Sequence, residues 1–271
     1  MYMPHRTPAA TTRYLFLVAW VLLVLLPLVP LLIWSGAFAW RWPDVLPGSW
    51  SLRAWRYVFA PTTGARPALV SSVLIALAVT TLAVAFGTPA GLALARARFR
   101  GQRAAELLLL APFFVPGLVT AMGVQIAFIR LGLADTIPGV VLAHLMPALP
   151  YVVVSVRGVA ANLGPQPEEQ ARSLGASPWR AFRHVTLPAL RPGMIVGGLF
   201  AFLVSWSQYT TTLVIGGGAV QTLPLVVYAF QRSGENAIAA ALAVVFVAPA
   251  ILALAIAARS LSGRPGVGGR V

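Results

Sequence analysis

Two apolar stretches of the chain are separated by a polar, arginine-rich segment, Pro167-Glu-Glu-Gln-Ala-Arg-Ser-Leu-Gly175-Ala-Ser-Pro-Trp-Arg-Ala-Phe182-Arg-His-Val-Thr-Leu187-Pro188. Its first proline suits the first turn of a helix, and the helix dipole favours the two glutamates that follow. Gly175 predicts the left-handed residue that ends this short helix, and Ser177 before Pro178 predicts the start of a second one. We expect the second helix to end at Leu187-Pro188, because proline interrupts helices.

The second short helix carries a small apolar stripe. Trp179, Phe182 and Val185 recur every three positions, whereas Arg180 and Arg183 fall on other faces. A loop that only meets solvent needs neither a tryptophan nor a phenylalanine in such a stripe. The segment is therefore predicted to dock onto a partner protein.

The segment resembles the EAA loop of binding-protein-dependent ABC importer permeases. That pattern has Glu-Ala-Ala, a Leu-Gly-Ala a few residues later, an aromatic or apolar residue, and a final Leu-Pro. The matching positions are Glu169, Ala171, Leu174, Gly175, Ala176, Phe182, Leu187 and Pro188. Gln170 replaces the usual alanine, which helix propensity tolerates. The resemblance implies that residues 158–192 form a coupling loop that binds a groove of a cytoplasmic ATPase. Glu168 and Trp179 join its candidate contact residues.

The composition predicts an all-α polytopic membrane protein, and the resemblance implies that residues 1–271 form a single transmembrane permease domain. Apolar residues make up 59% of the chain and charged residues only 10%, and a membrane span needs about 20 apolar residues in helical form. Six stretches satisfy this length: residues 14–34, 69–93, 107–129, 137–156, 193–215 and 237–258. Prolines in the third and fourth stretches place these two inside the bundle rather than against lipid.

The arginines predict the orientation. All 20 basic residues are arginines, and with a cytoplasmic N-terminus fourteen of them fall on the inner side, as the positive-inside rule requires. Both termini and the docking segment are then cytoplasmic, in a bacterial or archaeal inner membrane. This orientation accounts for the net charge of +14, so we expect no nucleic-acid partner. The basic loop 96–103 is predicted to meet anionic lipid headgroups, with an ATPase contact as the alternative.

The chain lacks the residues for several kinds of chemistry. A phosphate-binding P-loop requires lysine, and the sequence contains none. It also contains no cysteine, and its three histidines are too scattered to predict a metal site. None of the six acidic residues falls in the middle of a span, although ion-coupled carriers usually keep an intramembrane carboxylate. We expect no cofactor on this chain, with ATP and magnesium bound by a partner ATPase.

Polar residues inside the spans are candidates for a translocation path. Several of them fall in Ser205-Trp-Ser-Gln-Tyr-Thr-Thr-Thr212, and such clusters are costly against lipid. The candidates are Gln125, His144, Ser205, Ser207, Gln208, Tyr209 and Thr210. The alternative is structural: serine and threonine often bond their own helix backbone, and a lone histidine is more often packed and hydrogen-bonded than a proton relay.

The resemblance identifies the chain as a transmembrane subunit of a type I ABC importer. Gly216-Gly-Gly followed by Gln221-Thr-Leu-Pro224 is most similar to the spermidine/putrescine-like branch. The resemblance implies two ATPase subunits, a second permease that is homologous or identical, and an extracytoplasmic solute-binding protein. An ion-coupled secondary transporter or channel is the main alternative, a membrane scaffold is a third, and a membrane enzyme finds the least support.

Overall fold

The computed structural model describes residues 8–40, 43–44 and 46–262. Four of the arginines that were counted for the orientation, Arg6, Arg41, Arg264 and Arg270, lie outside these residues. The described chain is mostly helical. In chain order the helices are α1 (Pro8–Leu25), α2 (Leu28–Gly36), α3 (Arg53–Phe59), α4 (Ala65–Arg96), α5 (Gln102–Phe114), α6 (Gly117–Arg130), α7 (Ile137–Leu163), α8 (Gln166–Ser173), α9 (Pro178–Ala181), a π-helical turn (Phe182–Thr186), α10 (Leu187–Trp206), α11 (Thr210–Gly216), α12 (Leu223–Arg232) and α13 (Asn236–Ser262).

The chain divides into two compact units. The first comprises residues 1–65 and 227–245. Strands β1 (Ala37–Ala39) and β2 (Ser49–Trp50) pair antiparallel in this unit. Tyr57 of α3 contacts Phe230 edge to face, with ring centroids 5.0 Å apart, and Arg53 approaches Glu235 at 3.6 Å. These contacts attach α3 to the segment around the start of α13.

The second unit, residues 66–226 and 246–271, contains the apolar core. Helix α7 packs along α10 and also contacts α11. Close approach depends on small residues. A Cβ on Gly91 would lie 2.7 Å from the Val153 carbonyl oxygen, and one on Gly197 would lie 2.7 Å from the Val152 Cα. Gly87 and Gly193 also face α7. The spacing of these glycines four residues apart, 87/91 and 193/197, therefore lets α4 and α10 approach α7 closely.

Three helices in the described part of the chain are long and apolar enough to cross a membrane, and a bent pair makes up to four. The three are Ala65–Arg96, Ile137–Leu163 and Pro178–Trp206. The first part of α13, Asn236–Leu252, is also apolar. The predicted spans at 69–93 and 137–156 therefore lie within single long helices.

Three predicted spans are not single helices. The stretch 107–129 is divided between α5 and α6, which meet at 112°. Pro116 explains the break, because the residue before a proline avoids helical geometry, and Val115 is extended with ψ 127°. The stretch 193–215 is interrupted between Trp206 and Thr210. The apolar run 14–34 likewise changes helix at Leu26-Pro27.

The two proline-containing spans differ in how much of them this chain buries. Helix α7 runs through Pro147 and Pro150, and 56% of its apolar stretch is buried, against 28% for α4. Helix α5 has no buried residue, and α6 buries only Ala121. Apolar side chains of α5 and α6 are therefore left exposed.

Candidate functional site

The predicted docking segment folds locally as the sequence indicates. Helix α8 begins at Gln166, with Pro167 in its first turn, and ends at Ser173. Gly175 follows with a φ of +91°, the left-handed conformation that glycine adopts without strain. The Ser177 hydroxyl accepts a hydrogen bond from the Arg180 amide at 3.4 Å and caps α9. The first short helix, the glycine turn after it and the serine-capped start of the next helix agree with the prediction.

The predicted helix end at Leu187-Pro188 is wrong. The chain continues from α9 through the π-helical turn into α10 without a break. The Leu187 amide bonds to the Phe182 carbonyl, one residue further back than in an α-helix. The wider turn immediately precedes Pro188, which lies in the first turn of α10. Proline has no N–H group, and this position does not require one for the hydrogen bonds of α10. The loop between long helices is therefore shorter than the predicted 158–192, because residues 158–163 belong to α7 and residues 187–192 to α10.

The most exposed apolar side chains of the segment lie at its turn and on α9. Leu174 is 89% exposed and Trp179 is 67% exposed. Glu169 is also exposed, on α8. Phe182 is half-buried, and its ring stacks on Trp179 with centroids 5.7 Å apart. We call the exposed set Glu169, Leu174 and Trp179 the docking surface.

Other predicted contact residues support this surface from within. Ala171 is partly buried, and its carbonyl accepts a hydrogen bond from the Ala176 amide at 3.0 Å. This bond closes the turn around Gly175. Leu187 and Pro188 are half-buried in the first turn of α10. These residues therefore shape the segment, and their contact with a partner stays a prediction.

Glu168 points toward the helical bundle. The Thr186 hydroxyl donates to Glu168 Oε2 at 2.6 Å, and Arg96 Nη1 reaches the same oxygen at 2.6 Å. The hydrogen bond from Thr186, then that from Arg96, hold the pKa of Glu168 below its ordinary value of 4.5, although partial burial opposes the shift. Arg96 Nη2 also donates to the Gly164 carbonyl at 3.3 Å. This carboxylate ties the end of α4, the start of α8 and the π-helical turn together, and we call the group Arg96, Glu168 and Thr186 the anchor.

Two of the path candidates form a buried polar cluster in the core. His144 of α7 is 1% exposed. Its Nδ1 lies 3.0 Å from the Ser205 hydroxyl and its Nε2 lies 3.0 Å from the Thr212 hydroxyl. The Thr212 hydroxyl in turn donates to the Gln208 carbonyl at 2.9 Å. In this chain, therefore, His144 of α7 bridges Ser205 of α10 and Thr212 of α11, on the two sides of the break, which agrees with the structural alternative.

The remaining path candidates are distributed around that break. Gln125 of α6 donates to the Val214 carbonyl at 3.2 Å. Ser207 is exposed, and its hydroxyl bonds the Val204 carbonyl. Tyr209 and Thr210 are half-buried at the start of α11. Gln208 lines a cavity of about 40 Å³ together with Thr120, Thr211 and Pro147.

Sequence reasoning missed the roles of Arg96 and Thr186. Arg96 was assigned only to a basic loop, although it is the last residue of α4 and lies 72 positions from its partner Glu168. Thr212, the last residue of the polar stretch 205–212, is not among the path candidates, although its hydroxyl contacts His144. No local pattern signals these pairings. Among the described residues no group of histidine or acidic side chains could hold a metal ion.

The chain is similar to known transport proteins over nearly all of its length. Residues 87–265 match the family described as binding-protein-dependent transport system inner membrane component. The molybdenum transport system permease protein ModB of Mycobacterium tuberculosis is 34% identical over 273 residues, covering 94% of this chain and 97% of ModB. The putrescine transport system permease protein PotI of Escherichia coli is 32% identical over 172 residues, 61% of each chain.

The fold also matches a solved structure. The match is a bacterial ABC transporter involved in the import of the acidic polysaccharide alginate. The TM-score is 0.72 at 17% identity, with 96% of this chain and 98% of that chain covered. At this identity the likeness concerns the fold.

The chain belongs to the family of binding-protein-dependent transport system inner membrane components. It is a permease subunit of an ABC importer, a multi-pass protein of the inner membrane, and a transport subunit rather than an enzyme. ATP is hydrolysed by a partner. The family predicted from the docking segment is confirmed, and the similarity to PotI agrees with the predicted branch. The alternative of an ion-coupled carrier finds no support.

Proposed function

We propose that the docking surface binds the ATPase of this importer. The observation that carries this proposal is the exposure of Leu174 and Trp179 on a segment that is otherwise polar. Exposed large apolar side chains outside the apolar spans are costly in water, and a protein groove would cover them. Glu169, exposed beside them, would supply a charged contact to the same groove.

The anchor would convert movement of the ATPase into movement of the permease. Arg96 Nη1 and the Thr186 hydroxyl each lie 2.6 Å from Glu168 Oε2. Helix α8 is therefore attached to the end of α4 and to the turn just before α10. Helix α9 continues through the π-helical turn into α10, which ends beside the cluster of His144 and Ser205. A displacement of the docking surface would therefore reach the break between α10 and α11. Closure of two ATPases would in this way switch the solute path between inward and outward openings.

We propose six membrane spans with both termini in the cytoplasm. The positive-inside distribution of arginine supports this orientation. Two ATPase subunits, which bind ATP and magnesium, would lie beneath a pair of permeases. A solute-binding protein would deliver cargo from the other side of the membrane.

The second permease, a copy of this chain or a homologue, would cover α5 and α6. Their exposed apolar side chains include Leu108, Phe114 and Ile126. The 112° bend between the two helices interrupts helical hydrogen bonding, and interrupted backbone is tolerated at membrane depth only inside protein or beside water. A neighbouring permease satisfies this requirement better than lipid.

The cargo we propose is a small charged solute. ModB belongs to a molybdenum transport system and PotI to a putrescine transport system. Gln208, Tyr209 and Thr210, at the break between α10 and α11, are our candidate path residues, with Gln125 and Ser207 beside them. Hydrogen-bonding side chains at a helix break can replace part of the water lost by a charged solute.

Co-purification tests the docking surface. The tagged permease is isolated from its own membranes in mild detergent, and the accompanying proteins are identified by mass spectrometry. Wild type should bring a P-loop ATPase, and Leu174→Glu with Trp179→Ala should lose it. Leu131→Ala, which removes an exposed apolar side chain that we place on the other side of the membrane, is the control and should retain it. Equal recovery of the ATPase by the double variant would show that the surface lies elsewhere.

Gly175→Pro tests the transmission step. Proline fixes φ near −65°, whereas this position has φ +91°. The variant should still insert in the membrane but should lose coupling between ATP hydrolysis and solute uptake. Uptake assays with the complex in vesicles measure this, and unchanged uptake would refute the role of the turn.

A further inference from the structure

A groove runs beside α4 and reaches the coupling segment. It has a volume of about 490 Å³. Val84, Ala85, Leu92 and Ala93 line it from α4, and Met194 lines it from α10. Phe182 and Leu187 also line the groove, so it extends to the helix that follows the docking surface.

Two polar side chains that line this groove have buried atoms without partners. The Thr88 hydroxyl belongs to a residue that is 7% exposed, and it has no hydrogen-bond partner among the described residues. Arg96 Nε is likewise buried without a partner in the described chain, although its Nη atoms bond Glu168 and Gly164. Leaving a buried donor unpaired destabilises the folded protein, because the donor has lost its hydrogen bonds to water. A ligand that brings acceptor oxygens into the groove would remove both penalties.

The end of the groove at Arg96 is basic. Arg98 and Arg100 follow in the exposed segment between α4 and α5, and Arg103 is exposed at the start of α5. The described residues show no ion pair for any of these three arginines. Arg96 is neutralised by Glu168. The uncompensated positive charge therefore lies next to the polar end of an otherwise apolar groove.

The length of the groove suits one lipid leaflet. The lining residues on α4 and just after its end run from Val84 to Ala97. At 1.5 Å per residue this length of helix is about 20 Å. Half of a bilayer's hydrocarbon core is about 15 Å, and the remainder reaches the headgroup region. A membrane-facing groove of this length can hold an acyl chain along its apolar part and place ester and phosphate oxygens near Thr88 and Arg96.

We propose that this groove is a binding site for an anionic phospholipid. The acyl chain lies along Val84 and Ala85, on the side of Thr88 away from the basic end of the groove. The oxygens of the glycerol and headgroup region accept hydrogen bonds from Thr88 and Arg96, while Arg98 and Arg100 neutralise the headgroup. Because Phe182 forms part of the wall, the lipid contacts the helix that joins the docking surface to α10. The site requires no ATPase and is therefore independent of the proposed docking function.

Native mass spectrometry of the full-length permease in mild detergent tests this site. Delipidated protein is titrated with phosphatidylglycerol and, separately, with phosphatidylcholine. Two uncompensated arginines near a headgroup predict about tenfold or greater preference for phosphatidylglycerol. Arg98→Gln with Arg100→Gln, in the exposed segment, should abolish that preference without changing the melting temperature. Equal binding of the two lipids by wild type would overturn the proposal.

Two matched pairs of variants locate the lipid. Thr88→Val should weaken phosphatidylglycerol binding about fivefold, the effect of one hydrogen bond. Thr81→Val, on the same helix but with its hydroxyl bonded to the Leu77 carbonyl, should not. Ala93→Phe should fill the groove and remove the bound lipid, whereas Ala127→Phe on exposed α6 should not. Undiminished lipid binding by folded Ala93→Phe would refute this location.

A second copy of the chain is the competing occupant. The sequence has no cysteine, so Ala93→Cys introduces a single thiol in the groove. If lipid fills the groove, the thiol should not form a disulfide-linked dimer under mild oxidation in the membrane. Efficient dimer formation would assign the groove to the permease interface and overturn the lipid proposal.

Discussion

Two neighbouring glutamates of α8 have different environments. Glu168 is bonded to Thr186 and Arg96, whereas Glu169 is exposed. The family pattern marks only Glu169, which matches its glutamate. The two residues therefore separate two tasks of one short helix: Glu168 attaches it to the bundle, and Glu169 faces outward.

Glu168→Gln should destabilise the permease, because it removes a charged acceptor and leaves Arg96 without its ion pair. The expected loss is about 1–3 kcal/mol. The pKa of Glu168 is lowered in the folded protein, so its contribution is fully present above the ordinary value of 4.5 and is lost as the pH falls through the lower folded value. Thermal unfolding in detergent at pH 7 and near pH 3 should thus show the difference between wild type and variant shrinking in acid.

Glu169→Gln is the matched control for this experiment. It should leave the unfolding transition unchanged at both values of pH, because this side chain is exposed. If the two variants lower the melting temperature equally, the anchor does not stabilise the helix and the assignment of Glu168 is wrong.

His144 should behave as part of a buried network. His144→Leu leaves the Ser205 hydroxyl without the imidazole that lies 3.0 Å away, at an expected cost of about 1–3 kcal/mol. Adding Ser205→Ala should restore part of the lost stability, because an unpaired hydroxyl is then removed. Ser207→Ala, on an exposed position, should have no effect. Additive losses in the double variant, measured by thermal unfolding, would contradict the network.

At the scale of elements, the local geometry of α8 and α9 could be predicted from the sequence. Proline, glycine and serine act through their own backbone preferences or a hydrogen bond three residues away, so Gly175 and Ser177 could be assigned correctly. The continuation through Pro188 could not be predicted, because a π-helical turn changes the hydrogen-bond spacing without a distinct residue signature. The same holds for Arg96, which meets Glu168 only after α4 and α8 have packed.

The buried position of His144 illustrates a second limit. A polar residue in an apolar span predicts a partner, but the sequence does not say whether that partner is water in a path or a side chain in the core. The structure places Ser205 and Thr212 on its two ring nitrogens. Tertiary packing between α7, α10 and α11 therefore determined the outcome.

Helix packing in the second unit depends on the missing side chain of Gly197. Gly197→Ala should destabilise the unit, because its Cβ would lie 2.7 Å from the Val152 Cα, a backbone atom that cannot move alone. Gly123→Ala on α6 meets nothing within 4 Å, so it should be neutral or stabilising by up to about 1 kcal/mol through helix propensity. The melting temperatures of the two variants separate the cost of a clash between helices at position 197 from the gain in helix propensity at position 123. A stabilising Gly197→Ala would show that α7 and α10 can separate freely.

At the scale of the whole molecule, the orientation in the membrane connects the docking surface to an ATPase. Since the sequence contains no cysteine, single substitutions provide unique labels. Ser173→Cys and Arg98→Cys are exposed positions that we place in the cytoplasm, and Leu131→Cys and Gln221→Cys are exposed positions that we place outside. A membrane-impermeant maleimide should label the second pair in intact cells or spheroplasts, and the first pair only after permeabilisation.

This labelling pattern depends on the number of spans between the four positions. Labels that alternate from Arg98 to Leu131, to Ser173 and to Gln221 require the bent pair α5–α6, helix α7, and the region of α10 and α11 each to cross the membrane once. If Arg98 and Leu131 label from the same side, the 112° bend forms a re-entrant loop instead of a span. The later segments would then be inverted, and Ser173 would label from outside, where no ATPase can reach the docking surface. The same four variants therefore test three of the six proposed spans and the partner of the coupling segment, since both proposals require Ser173 on the cytoplasmic side of the membrane.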